Sequence, residues 1–123
     1  MTSWYPGKLL KRIIGGLSFE ERKIPLGLHG LWEAIAGFGG LEDAVMRTNV
    51  EDAIRNVRSI TRGVQIMEEE GLISHTEAKD ILETLNEIAS NIYNQDWLIV
   101  QTAMFMPNGL QDKLKTLLLK IAR

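Results

Sequence analysis

Between Met46 and Met67 the chain carries an apolar seam with a heptad rhythm. Val50, Val57 and Val64 stand seven residues apart, and Met46, Ala53, Ile60 and Met67 interleave with them at the same interval. The steps alternate between four and three, the spacing of a helix that lays one stripe against a partner. Arg55, Arg58 and Arg62 recur at i, i+3 and i+7 on a separate stripe at the back of the same helix. This pattern constrains how the chain is built and how it associates, and it names no reaction. β-Branched residues at one heptad position favour two-stranded pairing between chains, whereas a stripe of three heptads also suits packing within one bundle.

A chain of 123 residues that is 45% hydrophobic and 24% charged is of a size and composition for one folded domain with its own core. We take residues 1–123 as a single helical domain, with residues 1–23 forming a basic N-terminal arm or short helices. The chain has no cysteine, which removes disulfides and thiolate chemistry, and only two histidines, His29 and His75. The net charge of −2 conceals an uneven layout. Both ends are basic, through Lys8, Lys11, Arg12, Arg22 and Lys23 at one and Lys113, Lys115, Lys120 and Arg123 at the other. Residues 68–99 hold eight acids against Lys79 alone. Such asymmetry speaks to partners and assembly, not to fold. The N-terminal residues do not read as a signal peptide, and no apolar run is long enough for a membrane span. The expected location is the cytoplasm or a virion.

The periodicity predicts helices throughout and no strand. Leu9, Leu10, Ile13 and Ile14 line a short helix that stops at Gly15 and Gly16, and Ser18 with Glu21 reads as a capping box before Pro25. Residues 26–38 read as a buried helix whose small residues, Gly27, Gly30, Ala34 and Gly37, allow close approach of a neighbour. Gly39 and Gly40 are expected to break the chain before a long helix over 41–70, closed by Gly71. Ser74 with Glu77 forms a second capping box, and Ala78 to Tyr93 keeps a helical period. The short 71–74 connection folds these two helices into an antiparallel hairpin, expected to be the centre of the molecule. After a stutter at Asn94, Gln95 and Asp96, residues 97–106 are apolar on most sides. They either continue into the core or restart with Asp96 near a cap. Pro107, Asn108 and Gly109 end that segment, and Leu110, Leu114, Leu117, Leu118 and Ile121 share one face of a last helix. The fold class is therefore all-α, an antiparallel bundle of four to five helices on a long central hairpin.

Asp80, Glu83 and Glu87 repeat the i, i+3, i+7 spacing of the three arginines. The heptad phase sets both stripes on the outer sides of their helices, so they suit contact with the opposite stripe of another copy. Such a contact is head-to-tail, and it closes into a ring or propagates as a filament. Solvated faces are the alternative, since an exposed ion pair contributes only about 0–1 kcal/mol. The expectation is a non-enzymatic, self-assembling structural or interaction subunit, of the general kind that builds coats and filaments. A small nucleic-acid-binding or packaging protein is the alternative. It would use the arginine stripe, the C-terminal lysines, and Lys8, Lys11 and Arg12 beside Trp4 and Tyr5, with affinity from counterion release. The same segment resembles an interfacial amphipathic helix, which makes a peripheral membrane adaptor a further reading.

Catalysis has little in the sequence to rest on. His29 and Glu33 stand at i, i+4, but a histidine among leucines reads as a core residue with one hydrogen bond. His75 lies in a helix cap, expected to be exposed. Glu77, Asp80 and Glu83 lack any regular metal-loop spacing. No phosphate-cradling glycine loop is present. No enzyme activity, cofactor, metal or small-molecule substrate is expected.

Overall fold

A computed structural model describes residues 29–122, excepting the side chain of Ala122. The expectations for Trp4, Tyr5, Lys8, Lys11, Arg12, the 9–14 helix and the Ser18–Glu21 turn lie outside the described residues. The described chain is an all-α bundle of five helices: α1 (His29–Met46), α2 (Val50–Glu69), α3 (His75–Tyr93), α4 (Trp97–Phe105) and α5 (Leu110–Ala122). None of these helices is long and apolar enough to cross a membrane.

The most extensive pairing is between α1 and α2, rather than between α2 and α3. The reason lies in the glycines. A Cβ on Gly37 would fall 2.8 Å from Ile60 Cγ1, and one on Gly40 would collide with the Asn56 side chain. Gly30 and Gly63 face one another where the two backbones cross. Glycine's poor helix propensity, about 1 kcal/mol relative to alanine, is offset here by dense packing of two backbones. With Gly40 packed against Asn56, α1 does not break at Gly39 and Gly40 but runs on to Met46.

The break comes instead at residues 47–49. Thr48 adopts a left-handed φ of 51°, and the Thr48 and Asn49 amides donate to the Val45 and Ala44 carbonyls at 3.0 and 2.9 Å. This pair of bonds is the Schellman closure of a helix C-terminus. Asn49 then opens α2, its side chain accepting from the Asp52 amide at 2.9 Å. Met46, expected at the head of the seam, therefore belongs to α1 and is 61% exposed. The rest of the seam is internal: Ala53, Val57, Ile60, Val64 and Met67 are buried, and Val50 is partly so.

The same closure recurs twice. Gly71, at φ 75°, ends α2, with its amide on the Glu68 carbonyl and the Leu72 amide on the Met67 carbonyl. Gln95, at φ 56°, ends α3, with its amide on the Ile92 carbonyl and the Asp96 amide on the Asn91 carbonyl. Asp96 at once caps α4, which settles the 94–96 stutter as a bend and restart. The capping box between Ser74 and Glu77 is present, with both bonds made, at 3.0 and 2.8 Å. Glu68, poorly placed for the helix dipole at the end of α2, bonds His75 Nδ1 across the turn at 2.8 Å.

The core takes Phe38 and Leu41 from α1, Ile60 and Met67 from α2, and Leu85, Ile88 and Ile92 from α3. Met104 of α4 and Leu110, Leu114 and Leu118 of α5 complete it. Each such side chain contributes about 1.5–3 kcal/mol before entropy is set against it. Among the described residues no polar or charged residue is fully buried.

Candidate interaction surfaces

The arginine stripe lies on the solvent side of α2, as its phase requires. Its three members have different surroundings. Arg55 is tied to Asp52 at 2.7 Å, one turn earlier on α2. Arg62 reaches toward Glu33 of α1 at 3.9 Å. Arg58 is exposed and has no ion pair among the described residues. Asp52 also takes a 2.9 Å bond from Arg47, which grips Asp43 as well and so straddles the α1–α2 corner. The Arg47 hydrogen bond, then the charge of Arg55, holds the Asp52 carboxyl below the usual carboxylate range. Beside Arg55 and Arg58, a shallow groove of about 310 Å³ runs between α2 and the end of α3. Val50, Ile54 and Tyr93 line it together with Glu51.

The acidic stripe of α3 divides in two. Asp80 accepts from Lys113 Nζ at 3.0 Å, and that ammonium also donates to Thr84 Oγ1 at 2.7 Å. Further along, Lys120 Nζ donates to both Glu77 oxygens at 2.9 Å. The Ser74 amide first, and Lys120 second, hold the Glu77 carboxyl below its ordinary range. These pairs run α5 antiparallel to α3. They also mean that Asp80 is engaged within the chain and that Lys113 and Lys120 are not a free basic patch. Glu83 and Glu87 are exposed, without an ion pair among the described residues. The arginines and the acids of the two stripes make no ion pair with each other within the described chain.

His29 corrects the expectation of a core histidine: it is the exposed first residue of α1. Glu33 stands near Arg62 rather than serving as a partner of His29. His75 is exposed, and its described partner is Glu68. Among the described residues no group of three or more His, Cys, Asp or Glu is placed to hold a metal ion.

Three features escaped the sequence reading. Tyr93, whose spacing falls within the apolar period of α3, is 61% exposed over the arginine groove. Glu42 of α1 is half-buried, and that burial pushes its carboxyl up to about 7. α4 sends Val100 and Met104 into the core and leaves its other side open. The signal for α4 was its composition: a helix apolar all round cannot bury every side at the edge of a small bundle.

Comparison of the chain with protein-family models, with curated proteins and with solved structures finds no match.

Proposed function

We propose that this chain is a non-enzymatic interaction subunit that assembles with copies of itself head to tail. The Arg58 groove of one copy takes the Glu83–Glu87 stripe of the next. One observation carries the reading. The charges left unpaired among the described members of the two stripes, Arg58 on α2 and Glu83 and Glu87 on α3, are of opposite sign and lie on different outer faces of one molecule. They make no ion pair with each other inside the chain, so a second copy is the partner that answers both. Glu83 and Glu87 are one helical turn apart, as Arg55 and Arg58 are, so two rows of side chains with matching spacing of about 5–6 Å can interleave. Val50, Ile54 and Tyr93 add apolar floor to the groove, which matters because an exposed ion pair alone contributes little.

Light scattering on the full chain, at low and high salt and with the 260/280 nm absorbance ratio read in parallel, tests the proposal. The expected result is a species larger than the chain at low salt that shrinks as salt screens the contact, without nucleic-acid absorbance. High absorbance at 260 nm in the large species would favour the nucleic-acid reading instead. A size that does not respond to salt would remove the charged contact.

A further inference from the structure

α4 differs from its neighbours in what it shows to solvent. Six positions, Leu98, Ile99, Gln101, Thr102, Phe105 and the C-cap Met106, are exposed, and none carries a charge. Four are large and apolar: Leu98 is 74% exposed, Met106 55%, Ile99 42% and Phe105 38%. Thr102 lies in the middle of this face, and its hydroxyl donates to the Leu98 carbonyl at 2.9 Å. Its proton is thereby used inside the helix. Phe105 is anchored from behind, its ring edge-on to Phe38 at 6.1 Å and 84°.

We infer that this face is a two-fold dimer interface, with α4 of one copy lying antiparallel on α4 of a second. This contact goes beyond the charged one and does not depend on it. Leu98 and Phe105 are seven residues apart with Thr102 near their midpoint. A two-fold axis beside Thr102 therefore sets Leu98 of each copy against Phe105 of the other, the self-complementarity that an isologous contact requires. The absence of charge leaves nothing for two copies to repel. The four apolar side chains present roughly 400 Å² per copy, within the size range of apolar patches that are often functional. Doubled, and with Gln101 and Thr102 adding their own exposed surface, the buried area approaches the 1,000 Å² or so at which a specific interface begins. A second copy fits better than a charged partner, for which the face has no complement.

Sedimentation of the full chain over a range of concentrations, in salt high enough to silence charged contacts, reads this directly. The parent is expected to approach twice the 13.9 kDa chain mass. Leu98→Glu is expected to sediment as one chain with an unchanged helical circular dichroism spectrum, since Leu98 is mostly solvated. Because the chain has no cysteine, Thr102→Cys supplies a single thiol near the axis. Mild oxidation should link that variant into a covalent dimer, while Ser90→Cys on exposed α3 should stay single. A parent that is one chain at every concentration overturns the inference, and so does a dimer indifferent to Leu98→Glu. An introduced thiol at position 102 shielded from a maleimide in a single chain would also overturn it, by showing that the chain covers the face itself. Loss of this dimer leaves the salt-sensitive contact standing, and loss of that contact leaves the dimer, so the two failures are distinguishable.

Discussion

Gly30 and Gly63 meet backbone to backbone where α1 crosses α2. A Cβ placed on Gly30 would lie 2.5 Å from the Gly63 carbonyl oxygen, and a Cβ on Gly63 would meet the Gly30 carbonyl oxygen in return. This crossing fixes which pair of helices forms the centre of the bundle.

Gly63→Ala is therefore expected to lower stability by about 1–3 kcal/mol despite alanine's better helix propensity, because the obstructing atoms are backbone and do not yield easily. Gly39→Ala is the contrast. Nothing lies within 4 Å of a Cβ there, so it is expected to stabilise α1 by about 0.5–1 kcal/mol. Urea unfolding of both variants checks the pair. A Gly63→Ala chain as stable as the parent would contradict the close crossing.

The helices α2, α3 and α5 were legible because their apolar faces keep a helical period, and the caps at Ser74 and Gly71 use the residue types those positions favour. The α5 face, Leu110 to Leu118, is buried as its spacing requires. The break between α1 and α2 was not legible. Gly39 and Gly40 look like punctuation, yet Gly40 serves tertiary contact with Asn56, while the real corner falls at Thr48, a residue that rarely adopts positive φ. Phase alone placed the arginine and acid stripes on outer faces. It could not show that Lys113 takes Asp80 and Lys120 takes Glu77, because those partners lie 33 and 43 residues away.

Thr48 carries the strain of that corner. A β-branched residue in the left-handed region costs about 1–2 kcal/mol relative to glycine. Thr48→Gly is expected to raise the urea midpoint, corresponding to about 0.5–1 kcal/mol after the extra freedom of the unfolded glycine chain is allowed for. Gly71→Ala, at φ 75°, should lower stability by a similar amount. The opposite signs at two equivalent closures are the check.

Glu42 gives a pH dependence of defined sign. Its folded pKa, about 7, lies above its ordinary 4.5. Between those values the folded chain holds a proton that the unfolded chain has released, so this group's contribution to stability falls as pH rises through the window and levels off above it. Glu42→Gln should thus stabilise the chain at about pH 8 and change little near pH 4.5. The gain should be about 1 kcal/mol, well under the full shift at 1.36 kcal/mol per unit, because water reaches this half-buried site. Asp52 and Glu77 act at the other end. Their carboxyls lie below their ordinary 3.8 and 4.5, so the stability they contribute is present above those values and is lost only as acid is added below them. Thermal unfolding of parent and variant across pH separates the two ranges.

The most direct test of assembly by complementary faces is to reverse each face in turn. In light scattering, Arg58→Glu and Glu83→Arg, each purified alone, are expected to lack the large, salt-sensitive species that the parent is expected to form. Mixing the two variants pairs the intact Arg58 of one with the intact Glu83 of the other, and also pairs the two reversed residues. The salt-sensitive species is therefore expected to return in the mixture. Two variants that each assemble as the parent does, or a mixture that stays as small as its components, would contradict the account.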